Sequence, residues 1–229
     1  MITRLRAVPA ERLHLALMLA LTFSTGVVDA VGYLGLDRVF TGNMTGNIVI
    51  LGMGLTGADD LPVLGPALAL VGFMVGAATG GRVLRRAPSG WSGRTTTLVA
   101  LVGTVMAAGG TLLLVLPSDP DPATTVVITT VLGAAMGIQA ATARRIAVKD
   151  VTTVVVTSTV TALAADSKLG SGQGGGSARR ATAVGLILLG ALVGAAALEL
   201  QLGAGLWVAA AITLAVALTG HLHALRRSG

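Results

Sequence analysis

Six separate apolar runs, each long enough to cross a lipid bilayer, constrain the fold of this chain more than any other feature of its sequence. A transmembrane helix needs roughly 20 mostly apolar residues to cross ~30 Å of hydrocarbon. Only 11% of the 229 residues are charged, whereas soluble domains average about 25%. The pattern predicts an all-α, polytopic membrane protein that forms a single integral membrane domain over residues 1–229. The six runs cover residues 13–34, 62–81, 95–116, 123–143, 181–198 and 204–225.

The absence of cysteine and the distribution of charge exclude several classes of function. Without cysteine the chain can form no disulfide, thiolate nucleophile or cysteine metal site. The net charge of +6 is spread over loops beside the apolar runs, a pattern typical of topological control and attraction to anionic lipid headgroups. The predicted partner is therefore the lipid bilayer, and no nucleic acid, cofactor or metal ion is expected.

The loops between the apolar runs differ in the sign of their charge. Lys and Arg in short loops mark the cytoplasmic side of a membrane. By this rule both termini and the loops at 82–94, 144–150 and 166–180 lie in the cytoplasm. The predicted outside loops, which are acidic or lack Lys and Arg, are 57–61, 117–122 and 199–204.

Two further segments, 39–57 and 151–165, fit this topology only if neither of them crosses the membrane. Eight simple spans would place the basic loop at 82–94 outside. Six spans plus two re-entrant or short broken segments keep every Lys and Arg except Arg38 inside. The first segment opens with a polar, glycine-broken run at 41–47, and such backbone survives in lipid only where protein or a water-filled cavity surrounds it.

The polar residues of the two segments are the predicted lining of a solute pathway. We expect Asn47 and Ser158 to cap two short helices, each entered through extended chain, at 41–45 and 151–156. The two helix N-termini would meet near the bilayer midplane and favour an anion or an electronegative substrate group. Alternatively, these polar residues only hold helices together by close packing and interhelical hydrogen bonds. The predicted pathway residues here are Thr41, Asn43, Thr45, Asn47, Thr157, Ser158 and Thr159.

Asp29 is the most informative single residue, because it lies within the first apolar run. Intramembrane carboxylates are rare and commonly serve as proton relays or cation partners, a role that argues against a purely anion-selective path. The alternative is a local role, in which Asp29 contacts the polar turn at 41–46 or pairs with Arg38. Gln139 is predicted to be the counterpart of Asp29 in the second half of the chain and a further pathway residue.

Matching polar and glycine positions indicate an internal repeat with halves at 13–116 and 123–225. Each half would cross the membrane three times, so the second would be inverted relative to the first. This 3+3 arrangement is typical of many secondary transporters and some channels. The aligned pairs include Gly26 with Gly137, Thr45 with Thr157, Gly76 with Gly190 and Gly80 with Gly194.

The function favoured by these patterns is a small-solute permease or channel. A competing interpretation is a non-transporting membrane partner that packs through glycine seams, of which residues 72–80 are one. The same glycine-rich helix faces predict contact between copies in a homo-oligomer. An enzyme is not expected, since the sequence has no cysteine, no His-Glu-x-x-His motif and no Gly-x-Ser-x-Gly motif.

The polar run and its surroundings resemble the YoaK family of bacterial membrane proteins. The resemblance runs from Asp29 through Tyr33 and Phe40 to the fairly specific Asn-Met-Thr-Gly-Asn motif at 43–47, and it continues into the second half. Where the family often shows Gln-Asn and Thr-Gly there, this chain has Gln-Ala at 139–140 and Thr-Ser at 157–158. The resemblance implies a multi-pass protein of the bacterial inner membrane, without implying a particular activity.

Overall fold

The computed structural model describes residues 9–88, 90–116, 120–146, 156–172 and 175–225. All regular structure within these residues is helical, which confirms the predicted all-α fold. The helices are α1 (Ala10–Gly35), α2 (Met44–Gly54), α3 (Leu64–Leu84), α4 (Gly93–Val115), α5 (Pro122–Ile146), α6 (Val156–Ala165), α7 (Ser177–Leu200) and α8 (Ala204–Leu225), and a short 3-10 turn occupies Ala58–Asp60.

Six of these helices are long and apolar enough to cross a membrane, which confirms the six predicted spans. They are α1, α3, α4, α5, α7 and α8, and they contain 21 to 26 residues each. α2 and α6 contain 11 and 10 residues. At about 1.5 Å per residue, neither short helix can cross ~30 Å of hydrocarbon.

Close contacts at glycine residues give the relative direction of neighbouring helices. Gly190 packs on the backbone of Phe23, and Gly194 packs on the backbone of Val27, so α7 runs parallel to α1. The contacts between α3 and α5 advance in the same direction along both helices, so this pair is parallel as well.

The third helix pair, α4 and α8, runs antiparallel. Gly103 lies against Leu214, and Gly110 lies against Leu206. Short loops reverse the chain between α4 and α5 and between α7 and α8. With these directions, α3 begins at the end of the bundle where α1 stops, and α7 begins where α5 stops. Segment 39–57 therefore returns to the end of the bundle from which it starts. Of segment 151–165, residues 156–165 form α6, and residues 151–155, predicted to be extended, lie outside the described residues.

The predicted glycine seams pack inside the chain. A Cβ atom at Gly76 of α3 would overlap the carbonyl oxygen of Ala134 of α5, and one at Gly190 of α7 would overlap the carbonyl oxygen of Phe23 of α1. Small residues allow helix backbones to approach this closely in membranes. Because these faces are occupied within the chain, an interface between copies would need another surface.

α1 lies near the centre of the bundle, and α3 and α7 lie at its outside. Much more of the spanning window of α1 is buried than of α3 or α7, at 61% against 28% and 22%. The outer helices expose large apolar side chains, for example Val75 and Leu189. Lipid covers such a surface favourably, whereas water would not. The outer faces of α3 and α7 are accordingly the surfaces that contact the lipid bilayer.

Candidate functional site

The chain reverses direction immediately after α1. The N–H of Leu36 donates to the carbonyl oxygen of Gly32 at 3.1 Å and ends the helix. Asp37 and Arg38 then adopt left-handed backbone angles, with φ of 57° and 56°, which is uncommon for residues other than glycine. This reversal directs residues 40–43 back along α1.

Arg38 contacts Asp59 and does not pair with Asp29. Its Nη1 atom lies 3.3 Å from the Asp59 carbonyl oxygen and 3.5 Å from Asp59 Oδ2. Both side chains are exposed, so this ion pair contributes little to stability. The predicted alternative of an Asp29–Arg38 pair is wrong, because the reversal turns Arg38 away from the bundle. The contact instead joins the two ends of segment 39–57.

Asp29 binds the polar turn that precedes α2, as the local alternative predicts. Its Oδ1 atom accepts hydrogen bonds from the backbone nitrogens of Gly42 at 2.6 Å, Thr41 at 3.0 Å and Asn43 at 3.4 Å. The Thr41 hydroxyl donates to the same oxygen at 3.3 Å. None of these four bonds involves Oδ2. A single carboxylate oxygen thus organises the irregular backbone between α1 and α2.

Asn47 closes the same turn and is not the cap of α2. Its Oδ1 accepts from the Phe40 N–H at 2.8 Å, and its Nδ2 donates to the Phe40 carbonyl oxygen at 2.6 Å. α2 begins at Met44, with Asn43 as its N-cap: Asn43 Oδ1 accepts from the Gly46 N–H at 3.1 Å. The predicted cap at Asn47 is therefore wrong by one helical turn, and the extended entry is shorter than predicted. The Asn43 side chain reaches the free N–H groups in the first turn of α2, whereas Asn47 lies inside the helix.

Gly46 makes room for the aromatic ring of Phe40. A Cβ atom at Gly46 would lie 2.7 Å from a carbon of that ring. With this space available, the Phe40 ring stacks on Tyr33 of α1, with the centroids 4.8 Å apart and the planes inclined by 22°. The glycine of the Thr-Gly-Asn sequence therefore permits an aromatic contact between the turn and α1.

A cavity of about 820 Å³ opens beside this turn. Its wall comes from α1, the turn, α2, α3, α6 and α7. Two of its residues, Val156 and Thr157, belong to the first turn of α6, so both short helices reach the same space. The lining residues are Thr25, Asp29, Tyr33, Phe40, Gly42, Asn43, Met44, Thr45, Gly46, Val49, Ile50, Phe73, Val156, Thr157 and Ile187.

The cavity brings together four of the nine residues that the sequence predicted as site residues, namely Asp29, Asn43, Thr45 and Thr157. The other five do not line it. Thr41, Asn47 and Gln139 are fully buried in the protein around the turn. Ser158 and Thr159 lie on α6 beyond the lining residues; Ser158 was expected to cap this helix, but it lies inside it because the helix already includes Val156.

Thr25, Tyr33 and Phe40 are among the lining residues that were not predicted as site residues. Thr25 and Tyr33 lie four residues before and after Asp29, so they share its helix face. That spacing was a usable signal. The position of Phe40 depends on the left-handed reversal at 37–38, which a sequence of non-glycine residues does not reveal.

Gln139 of α5 contacts the cavity residue Thr25 but does not itself line the cavity. Its Nε2 atom donates to Thr25 Oγ1 at 3.1 Å, and its Oε1 atom has no hydrogen-bond partner among the described residues. In the register that aligns Gly26 with Gly137, Gln139 corresponds to Val28 and not to Asp29. Gln139 of α5 thus contacts Thr25 of α1 and does not line the cavity, and its equivalence to Asp29 in the repeat stays a prediction.

The N-terminus of α2 does not offer the free anion site that the sequence suggested. Its preceding backbone N–H groups already donate to Asp29, and the Gly46 N–H donates to Asn43. The carboxylate thus takes the place that a bound anion would have at a helix N-terminus. In the cavity lining, Asp29 is the only acidic residue, and no lysine, arginine or histidine is present.

Comparisons with known proteins agree with this architecture. The family described as "Protein of unknown function (DUF1275)" matches residues 17–219. The chain is 29% identical over 151 residues to the UPF0700 transmembrane protein YoaK of Bacillus subtilis (strain 168), an alignment that covers 66% of this chain and 65% of YoaK. No solved structure matches. Because the family match reaches from the first spanning helix to the last and includes the polar turn, the chain belongs to the DUF1275 family of membrane proteins, to which the resemblance to YoaK pointed.

Proposed function

We propose that this protein is a small-solute permease or channel whose path runs through the cavity at Asp29. The observation that carries the proposal is a carboxylate in a cavity of about 820 Å³ within a bundle of apolar spanning helices. That volume is within the roughly 300–1,000 Å³ of small-molecule sites. Ionisable groups inside membrane proteins face such cavities and mark solute or ion pathways.

The arrangement of helix contacts supports an inverted repeat with halves at 13–116 and 123–225. Gly137 packs on Phe73, and Gly26 packs on Ile187. The sequence alignment of the halves pairs these two glycines, and the pairing of Gly76 with Gly190 also places Phe73 opposite Ile187. Exchanging the two halves therefore converts the contact of Gly26 with Ile187 into the contact of Gly137 with Phe73. Repeats of this kind place the solute site between the halves in transporters.

The competing interpretation, a non-transporting partner packed through glycine seams, has less support. Those seams are filled by contacts within the chain at Gly76 and Gly190. A catalytic role also has less support, because the cavity lining holds one carboxylate without a histidine, lysine or second carboxylate beside it.

The charges of the loops support a bacterial inner-membrane location with both termini in the cytoplasm. Reporter fusions test this orientation. A fusion after Asp60 should report the outside, and fusions after Arg145 and Gly170 should both report the cytoplasm. Opposite reports from the last two fusions would contradict the re-entry of segment 151–165.

Flux into proteoliposomes tests the transport proposal itself. Purified protein is reconstituted, and the uptake of radiolabelled amino acids, sugars, organic acids and ammonium compounds is compared with protein-free vesicles. Thr157→Val removes a hydroxyl from the cavity wall, and Thr161→Val, on the same helix but outside the lining, is its matched control. The proposal predicts uptake of at least one solute that falls in Thr157→Val and is unchanged in Thr161→Val. Uptake equal to that of protein-free vesicles for every solute would reject it.

A further inference from the structure

We propose that the cavity at Asp29 binds an organic ammonium ion, with its charged group at the Asp29 carboxylate and its apolar substituents against Tyr33 and Phe40. This inference rests on the proposed function, because it names the class of solute that the pathway carries. It follows from the charge of the cavity, the commitment of its polar atoms, its aromatic wall and the apolar groove that continues it.

The charge of the cavity favours a cation. Asp29 is the only acidic residue among the lining residues, and none of the others is basic. The backbone N–H groups that could have bound an anion are committed to Asp29 Oδ1. These N–H groups all donate to Oδ1 and none of them donates to Oδ2. Oδ2 can therefore accept a hydrogen bond from a ligand N–H or contact a cationic group.

The polar atoms of the cavity do not suit a hard inorganic cation. Such ions take about six or more oxygen ligands. Here the Thr25 hydroxyl donates to the Leu21 carbonyl oxygen and accepts from Gln139. Asn43 Oδ1 accepts from the Gly46 N–H. Two of the side-chain oxygens that could surround a metal ion are thus engaged in bonds within the protein, and the cavity is far larger than a single ion needs.

The aromatic wall of the cavity suits an ammonium group. Tyr33 and Phe40 stack on one another, and both line the cavity on the same side of α1 as Asp29. Tyr33 remains 37% exposed, so its outer face is accessible. A cation near an aromatic face is attracted by the ring quadrupole, the interaction by which proteins recognise quaternary ammonium ligands.

An apolar groove of about 350 Å³ between α1 and α7 continues the cavity. The two spaces share Asp29, Tyr33 and Phe40, and the far wall of the groove is made of apolar α7 residues such as Leu188 and Leu192. A ligand with its charge at Asp29 can therefore place an apolar substituent in the groove. This continuity favours an ammonium ion with a hydrophobic group over a small hydrophilic one.

Equilibrium binding to the purified full-length protein in nanodiscs tests the inference, with calorimetry as the readout. The probes are benzyltrimethylammonium, choline, and 3,3-dimethylbutan-1-ol, which is the uncharged isostere of choline. We expect benzyltrimethylammonium to bind more tightly than choline, and choline more tightly than its neutral isostere. Absence of benzyltrimethylammonium binding, or equal binding of choline and the neutral alcohol, overturns the proposal.

Variants identify the binding groups. Asp29→Asn keeps an oxygen acceptor for the turn and removes the charge, and we expect it to weaken benzyltrimethylammonium binding by about ten-fold or more. Asp59→Asn, on the exposed loop, is the charge-matched control and should bind as the wild type does. Tyr33→Leu should weaken binding, and Tyr33→Phe should restore it. Wild-type affinity in both Asp29→Asn and Tyr33→Leu contradicts the proposed site.

Binding and flux separate this inference from the proposed function. Ammonium binding that depends on Asp29, without flux of any solute, would support the site and reject the permease. Flux of other solutes together with no ammonium binding would overturn the inference and leave the permease standing.

Discussion

Asp29 Oδ1 lies 2.6 Å from the backbone nitrogen of Gly42, and this hydrogen bond joins the central helix α1 to the turn before α2. The same oxygen accepts from the backbone nitrogens on either side of Gly42. The carboxylate therefore has two tasks, to hold the turn and to supply the charge of the cavity. Variants that differ only in their ability to accept hydrogen bonds can separate these tasks.

Asp29→Leu should destabilise the protein much more than Asp29→Asn. The leucine leaves the backbone N–H groups of Thr41 and Gly42 without their acceptor, and an unpaired buried donor costs about 1–3 kcal/mol. The asparagine retains an oxygen at the same place, so its loss should be about 1 kcal/mol or less. Unfolding in mixed micelles measures the difference. Equal stability of the two variants would show that the Oδ1 contacts do not hold the turn.

Replacing Asn47 should cost more stability than replacing Asn43, although both belong to the same motif. Asn47→Leu removes two hydrogen bonds between a buried side chain and the backbone of Phe40, and we expect a loss of about 2 kcal/mol or more. Asn43→Ala removes a helix N-cap, which costs about 1 kcal/mol. The same unfolding assay ranks the two variants. The reverse order would mean that Asn47 is not the residue that closes the turn.

The glycine contacts predict opposite effects of alanine on the two faces of one helix. Gly76→Ala and Gly190→Ala force a methyl group against a backbone carbonyl of the neighbouring helix, and such overpacking costs about 1–3 kcal/mol. Gly81→Ala and Gly185→Ala, on the same helices, add a methyl group where no atom lies within 4 Å. These controls should be neutral or stabilising by up to about 1 kcal/mol, because alanine favours helix. Loss of stability in the controls but not at the seams would contradict the packing of α3 on α5 and of α7 on α1.

Much of the fold could be predicted from the sequence. The six spans follow from the length of the apolar runs, and the prediction that segments 39–57 and 151–165 do not cross follows from the charges of the loops. The first prediction depends on the thickness of the hydrocarbon, which a helix needs about 20 apolar residues to cross, and the second depends on the preference of Lys and Arg for the cytoplasmic side. The pairing of α1 with α7 and of α3 with α5 was not predicted, because a glycine seam indicates close packing without naming the partner helix.

The site could be predicted only in part. Asp29 and the polar turn were identified, and their mutual contact was one of the alternatives that the sequence left open. The assignment of the cap to Asn47 was wrong, since a Thr-Gly-Asn sequence fits either asparagine and the choice depends on where the left-handed residues Asp37 and Arg38 deliver the chain. The contact of Gln139 with Thr25 was not predicted either, because it depends on how α5 packs on α1 and not on the sequence register alone.

The start of α5 should show a pH-dependent stability. The Thr124 hydroxyl and then the Thr124 N–H, both donating to Asp121, hold the pKa of this carboxyl below its usual value. Because the folded-state pKa is the lower one, the contribution of Asp121 is complete above the unfolded-state pKa of about 3.9. It is lost as the pH falls through the folded-state pKa.

Asp121→Asn provides the matched control for this effect, because asparagine caps helices without titrating. The wild type should lose stability relative to Asp121→Asn as the pH is lowered from 6 to below about 4. Thermal unfolding of both proteins over this range measures the difference. Parallel pH profiles of the two proteins would show that Asp121 does not act through its charge.

A water-filled path at Asp29 would make single cysteines placed along it accessible to water-soluble reagents, which this cysteine-free chain allows to be measured without background. Asn43→Cys and Thr157→Cys place thiols on the α2 and α6 sides of the cavity, and Leu189→Cys places one on the outer face of α7, outside the cavity and its apolar groove. The proteins, in sealed vesicles of either orientation, are treated with a membrane-impermeant methanethiosulfonate. A water-filled path predicts rapid modification of both cavity cysteines from at least one side and slow modification at position 189. Modification of both cavity cysteines as slow as that of the lipid-facing control, from either side, would contradict a water-filled path at Asp29.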